Sequence, residues 1–169
     1  LHLCDRRQRQ MCIRDSDYSI ERDVYKKDAA RVRMPEESIG TIITSPPYMK
    51  SLTYARDNRL RLWFLGVEDW KSLDKKISPE KNYFYKEMEE CFSNWHKMQT
   101  KEGRCIMVIG NLETRYQGEK CYMPDVLAQI AAPYYSLRDA YVDPIPEKRK
   151  VVKGETKVKQ ESVLVFERR

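Results

Sequence analysis

Ser45, Pro46, Pro47 and Tyr48 bring three useful groups into four consecutive positions: a hydroxyl, a carbonyl held outside sheet pairing, and an aromatic ring able to stack. The β-branched residues Thr41, Ile42 and Ile43 before them read as a short buried strand. The proline pair stops that strand, because proline has no N–H to donate to a ladder. Polar groups and a stackable ring are thereby expected at the carboxyl end of a strand, where open α/β sheets bind their ligands. Thiol and metal chemistry find no such support. The five cysteines, Cys4, Cys12, Cys91, Cys105 and Cys121, are scattered without a CxxC pair, and His2 and His96 are the only histidines. Neither a disulfide framework nor a zinc site is expected, and reduced thiols of a cytoplasmic protein are the simpler reading.

The elements that must position this stretch follow from periodicity. A short strand is expected around Val24-Tyr25, running into Lys27-Asp28-Ala29-Ala30, and Met34 to Gly40 forms a polar turn before the Thr41 strand. Met49 to Asp57 reads as a polar loop. Asn58 to Gly66, with Leu60, Leu62, Trp63, Phe64 and Leu65, predicts a short, largely buried helix stopped by Gly66. Val67 to Pro79 is expected to be a surface connection.

Tyr83, Phe84, Met88, Cys91, Phe92, Trp95 and Met98 recur at intervals near 3 and 4, the pattern of an amphipathic helix over Asn82 to Thr100. Cys105 to Ile109 is a continuous apolar run between glycines and predicts a fully buried parallel strand. Strand, helix, strand makes one βαβ crossover. Gly110 to Tyr122 reads as an irregular polar loop, and Pro124 suits the first turn of a helix over Asp125 to Ala132. Leu137 to Val142 and Ser162 to Phe166 are two further strands. The Lys- and Glu-rich segment Asp143 to Glu161 between them reads as a hairpin excursion on an antiparallel edge.

Composition bounds the rest. At 169 residues and 41% hydrophobic content the chain is one domain's worth with enough apolar material for a core. The net charge of +6 suits a polyanionic partner without demanding one. No apolar run approaches the roughly 18 residues of a membrane-spanning helix, so no membrane partner is expected. Residues 1–16, LHLCDRRQRQMCIRDS, lack either periodicity, and RQMCIRDS resembles a translated sequencing-adapter read-through. The expected organisation is a non-native segment over 1–16 and a partial catalytic domain over 17–169; a natural basic arm touching phosphates is the other reading of the first segment.

With those elements in order, the chain resembles the S-adenosylmethionine-dependent amino-methyltransferases of DNA. A motif of the form (D/N/S)-P-P-(Y/F) is shared by that family, and Ser45-Pro46-Pro47-Tyr48 matches it in the serine variant most associated with cytosine N4. Pro35-Glu36-Glu37-Ser38-Ile39 and the NRLRLWFLG segment from Asn58 to Gly66 are also similar to family members. The resemblance covers Asp17 to Arg169, most strongly Asp28 to Gly66 and the final strand. It implies an α/β fold: a partial Rossmann-like class I methyltransferase sheet with strands equivalent to 3, 4, 5, 6 and 7 and a C-terminal antiparallel hairpin. The family's first two strands are expected to be missing, which leaves the Thr41 strand with an open edge prone to non-native pairing.

The resemblance also implies roles. An exocyclic base amine is a poor nucleophile, because its lone pair is delocalised into the ring. The Ser45 side chain and the Pro46 carbonyl, held by Pro47, would accept the two amine hydrogens and aim the lone pair at the methyl donor. Tyr48 would stack on the base once it has flipped from the helix, offsetting an extrusion cost of a few kcal/mol. Ser45 and Asp28 would border the cofactor, S-adenosyl-L-methionine; Asp28 could equally cap a turn. Asn111, after Gly110, could border the site or belong to a plain turn.

Lys50, Arg56 and Arg59 would meet phosphates of the DNA flanking the base, although Arg59 and Arg61 could instead be the exposed side of a helix. Lys148, Arg149, Lys150, Lys153, Lys157 and Lys159 alternate with glutamates and read as a solvated loop. A restriction endonuclease system is the implied biological partner, and no metal is implied. No Pro-Cys pair occurs, which argues against carbon-5 methylation of cytosine.

One departure stands out: the family's F-x-G-x-G cofactor segment is absent, since the six glycines include no G-x-G. The resemblance therefore implies a truncated chain, with the missing segment before Asp17 or, in a permuted order, after Arg169, that alone binds the cofactor poorly or not at all and is inactive. Adenine N6, an RNA base, or a non-catalytic nucleic-acid-binding module remain the alternative readings.

Overall fold

The computed structural model describes residues 21–48, 54–77, 81–145 and 160–169. Residues 1–16, Lys50 and the tip of the Asp143–Glu161 excursion lie outside the described residues.

Four strands form one mixed sheet in the order β1-β2-β6-β5: β1 (Ile39–Thr44), β2 (Gln99–Gly110), β5 (Tyr135–Pro144) and β6 (Gln160–Arg168). β1 runs parallel to β2, with Ile42 beside Cys105 and Thr44 beside Met107. β6 is antiparallel to both β2 and β5. The crossover from β1 to β2 contains α1 (Tyr54–Asp57), α2 (Arg59–Phe64), α3 (Trp70–Ile77) and α4 (Lys81–Met98). Between β2 and β5 stand the hairpin β3 (Glu113–Tyr116)–β4 (Glu119–Tyr122) and α5 (Met123–Ala131).

The core lies on one face of the sheet. α4 buries Phe84, Met88, Cys91, Phe92, Trp95 and Met98, as its sequence spacing predicts, while Tyr83 of the same predicted stripe is exposed. α5 adds Met123, Val126, Leu127, Ile130 and Ala131, and the sheet offers Cys105, Met107, Ile109, Leu164 and Phe166. Phe92 is the aromatic hub, with Trp95, Tyr135 and Phe166 at ring-centroid distances of 5.9, 5.7 and 5.8 Å. Such tilted and edge-on pairs are favourable beyond their buried area. The segment before β1 docks on the end of α4, where the N–H groups of Glu37 and Ser38 donate to the Lys97 and Met98 carbonyls. Those carbonyls would otherwise have no intrahelical partner.

The opposite face is different. Ile43, Ile106 and Val165 form a row across β1, β2 and β6, with Val108 and Val163 beside it. The four β2 and β6 side chains are half-buried, and Ile43 is 75% exposed. Within the described sheet β1 is an edge strand, as its expected open edge requires.

At the start of β2 the ladder is irregular: Ile39 to Thr41 on β1 stands opposite Gln99 to Arg104. The fully buried Gln99 organises this bulge. Its Oε1 accepts from the Tyr135 hydroxyl, its Nε2 donates to the Arg104 carbonyl at 2.8 Å, and its own carbonyl accepts from the Arg168 guanidinium. Gly103 is required there, because a Cβ would lie 2.8 Å from the Thr100 carbonyl oxygen.

Several sequence expectations need correction. No strand forms at Val24-Tyr25; Val24 is 97% exposed, and two apolar residues among charges cannot hold a strand without a partner. The sheet thus has four of the five expected strands among the described residues. β2 is longer than Cys105–Ile109 and is buried on one side only, since no described helix covers Ile106 and Val108. The polar loop over Gly110 to Tyr122 is the β3–β4 hairpin, whose turn residues Gln117 and Gly118 both have positive φ, 51° and 91°. That conformation matches the twist of the flanking strands.

The surface connection contains α3, and the loop before Asn58 contains α1. α2 ends as expected at Gly66: the N–H groups of Gly66 and Val67 donate to the Trp63 and Leu62 carbonyls, with Gly66 at φ 77°. It is not buried, however. Leu60, Trp63, Phe64 and Leu65 are all exposed, Trp63 and Phe64 at 64% and 78%. Among the described residues no helix is long and apolar enough to cross a membrane.

Candidate functional site

Because β1 and β2 are parallel, their carboxyl ends share one edge of the sheet, and the antiparallel β6 begins there. Ser45 to Tyr48 follow β1, Asn111 follows β2, and Glu161 of β6 pairs with Gly110. Elements far apart in sequence therefore converge on one place. Pro46 is buried and anchors the turn, Ser45 is exposed, and Pro47 and Tyr48 are half-buried.

Tyr48 is held at two points. Its backbone N–H donates to the Tyr54 hydroxyl at 2.9 Å, and its own hydroxyl donates to Glu161 Oε1 at 2.6 Å. Its ring also packs against the core. Burial, followed by the hydrogen bond to Glu161 and that carboxylate's charge, pushes the Tyr48 phenol well above the ordinary tyrosine range; the Ser45 hydroxyl partly offsets this. The phenol is consequently a neutral donor throughout the physiological range.

Asn111 closes the edge. Its N–H donates to the Gln160 carbonyl at 2.8 Å and its Nδ2 reaches Gln160 Oε1 at 3.4 Å, while its buried Oδ1 has no hydrogen-bond partner among the described residues. An acceptor left unpaired in this position is the kind of exception that marks a ligand or an ordered water.

Asp28 caps a turn: its Oδ1 accepts from the Ala30 N–H at 2.9 Å and its carbonyl accepts from Arg31 and Val32. The turn is docked on α4 through the Trp95 indole, which donates to the Ala29 carbonyl, and through Asn94, which donates to the Val32 carbonyl. Arg56 on α1 and Arg59 on α2 are exposed on the helices that follow the motif. Arg61 bonds Asn58 Oδ1 at 3.1 Å. Among the described residues no group of histidine, cysteine and carboxylate side chains could hold a metal. A groove of about 510 Å³ between the Ala30–Arg33 turn and α4 involves none of Ser45 to Tyr48.

Sequence reasoning missed Tyr54 and Glu161. Tyr54 is close in sequence but sat in a stretch read as loop. Glu161 is separated from Tyr48 by 113 positions and belongs to a Lys- and Glu-rich segment whose composition signals only solvation.

No family model and no curated protein matches this chain. Solved structures do. TTHA0409 from Thermus thermophilus, described as a "Putative DNA Modification Methylase" and complexed with S-adenosyl-L-methionine, aligns with a TM-score of 0.50 at 16% identity, over 83% of this chain and 50% of that one. The PvuII DNA methyltransferase, cytosine-N4-specific, aligns at 0.42 and 16% identity, over 85% of this chain and 48% of that one. The fold is that of a class I methyltransferase sheet. This chain spans about half the length of these structures, and at such identity the likeness is one of fold.

Proposed function

We propose that this chain contributes the base-binding side of an S-adenosylmethionine-dependent DNA methyltransferase that modifies an exocyclic amine, cytosine N4 in preference to adenine N6 or an RNA base. The observation that carries the reading is the placement of Ser45-Pro46-Pro47-Tyr48. It follows an edge strand, at the carboxyl end of a parallel pair, with Tyr48 held at its backbone N–H and at its hydroxyl.

In this reading the exposed Ser45 hydroxyl and the Pro46 carbonyl accept the two amine hydrogens. The buried Pro46 and the following proline keep that carbonyl from moving, so little reorganisation is needed when the nitrogen becomes nucleophilic. Tyr48 presents its ring to the extruded base, where stacking is worth about 1–3 kcal/mol. Arg56 and Arg59, with Lys50 outside the described residues, meet the flanking phosphates.

S-adenosylmethionine would supply the methyl group. The residues present offer it polar neighbours but no glycine-rich cradle. Ser45 and the unpaired Asn111 Oδ1 are suitable polar neighbours, and Asp28 has a second carboxylate oxygen for an adenosine. No G-x-G cradle for the methionine moiety occurs in the sequence. The steps assigned to this chain are therefore those at the base and its flanking phosphates.

The test is transfer of labelled methyl from S-adenosylmethionine to DNA by the protein expressed from its complete gene, with the modified nucleoside identified chromatographically. N4-methyldeoxycytidine is expected. Ser45→Ala should slow transfer by roughly 100-fold, the scale of removing one preorganised polar group, and Tyr48→Ala by about 5-fold to 150-fold, the scale of one lost base stack. Unchanged transfer in both variants would sink the assignment. Salt-sensitive DNA binding with no transfer would instead indicate a binding module.

A further inference from the structure

We infer that Glu161 is the positioning residue for the Tyr48 ring, and that the affinity of this site for an unstacked base depends on the Tyr48–Glu161 hydrogen bond. This inference rests on the reading of Tyr48 as the ring that meets the base.

Glu161 suits the task for three reasons. First, it stands on β6 between two ladder partners, Gly110 on β2 and Asp143 on β5, so its backbone is fixed by the sheet. Second, the bond is a hydroxyl donating to a carboxylate at 2.6 Å, within the short range typical of charge-assisted pairs. Third, both side chains are half-buried, which strengthens the bond relative to one in open water. The ring is then constrained at both ends, by Tyr54 at the backbone and by Glu161 at the hydroxyl. A ring already immobilised loses less rotamer freedom when a base stacks on it, so more of the stacking energy appears as affinity.

The identity of the acceptor separates this role from plain electrostatics. Glu161→Gln and Glu161→Met remove the same charge and are of similar length, but only glutamine keeps an oxygen for the Tyr48 hydroxyl. Binding of a short fluorescein-labelled single-stranded deoxycytidine oligonucleotide to the full chain, at fixed salt, reads the difference. A single strand needs neither flipping nor a recognition sequence.

The methionine variant should bind about fivefold to tenfold more weakly than the glutamine variant, a ratio of the size of one hydrogen bond. In a Tyr48→Phe background the two Glu161 variants should bind alike, because the bond is already gone. Tyr48→Phe alone removes the bond from the other side and should match Glu161→Met, so a failure of the methionine variant to fold leaves a second measure. Equal affinity of the glutamine and methionine variants, or a difference that persists with Tyr48→Phe, would overturn the role of Glu161. Tyr48→Ala should weaken binding further. If it leaves binding unchanged, the base-binding reading of Tyr48 itself falls.

Discussion

Replacing Ile43 by lysine asks whether the bare face and free edge of β1 are surfaces of the protein. Ile43 is 75% exposed, so about a quarter of its area is buried. Full burial of such a side chain is worth about 1.5–3 kcal/mol, and a quarter of that is about 0.4–0.8 kcal/mol. Lysine can lay its methylenes over Ile106 and keep its ammonium in water, which recovers part of the loss. Ile43→Lys should therefore cost less than about 1 kcal/mol, or about 2–4 °C in melting temperature for a chain of this size.

Met107 on the covered face gives the contrast. It is fully buried, and Met107→Lys would place an ammonium in the core, at a cost of several kcal/mol and the loss of the folded state. Thermal unfolding followed by circular dichroism measures both. Ile43→Lys should also lower self-association in sedimentation velocity, because a charge on an edge strand discourages pairing with another copy. An Ile43→Lys penalty as large as that of Met107→Lys would refute the reasoning, since it would mean that the face is covered.

Four further outcomes follow from the buried side. Tyr135→Phe should leave Gln99 Oε1 unpaired in a fully buried position and cost about 1–3 kcal/mol in urea unfolding; a loss near zero would mean that the bond is not formed. Gly103→Ala should cost about 1–3 kcal/mol, since the new methyl would meet the Thr100 carbonyl oxygen and the Gln99 Cβ at 2.8 and 2.9 Å, and an unchanged denaturation midpoint would contradict this. Burial pushes the Cys91 and Cys105 thiols up to about 12, so both should resist iodoacetamide at pH 8 while the partly exposed Cys121 is labelled, as peptide mass mapping would show. Because the folded-state values are raised, the stability these thiols contribute is present below their ordinary range and lost as pH rises towards about 12; Cys105→Ala should flatten that alkaline loss, and an unaltered pH profile would count against it.

What could be read in the sequence is what the covered face dictates. Phe84, Met88, Cys91, Phe92 and Trp95 repeat at helical spacing because they all meet one sheet, and Leu164 and Phe166 alternate for the same reason. The motif end was legible because proline has no donor wherever it occurs. The misreadings arose where apolar content does not reveal a neighbour. Leu60, Trp63, Phe64 and Leu65 look like core material, yet nothing in the sequence tells whether another element packs beside them, and among the described residues none buries them. Val24 and Tyr25 have strand-like types but, among the described residues, no ladder to join. The β3–β4 hairpin escaped because Gln117-Gly118 adopts a turn that is more often signalled by Asn-Gly. Glu161 was invisible in principle, since its role depends on a register between strands rather than on any local pattern.

The two faces of the sheet meet at β1, and this decides how the site is built. Ile42 points to the core and Ile43 away from it, so the strand that delivers Ser45 is secured from one side only. The contacts that fix the motif come from the strand ends: buried Pro46, the Tyr54 hydroxyl, and Glu161 at the start of β6. None of them passes through Ile43. The geometry offered to a base amine is then set independently of Ile43, and Ile43→Lys should leave oligonucleotide binding unchanged while Glu161→Met weakens it. If Ile43→Lys weakened binding as much as Glu161→Met, the motif would be held through the middle of β1, and the two-point support of Tyr48 would not be what orders it.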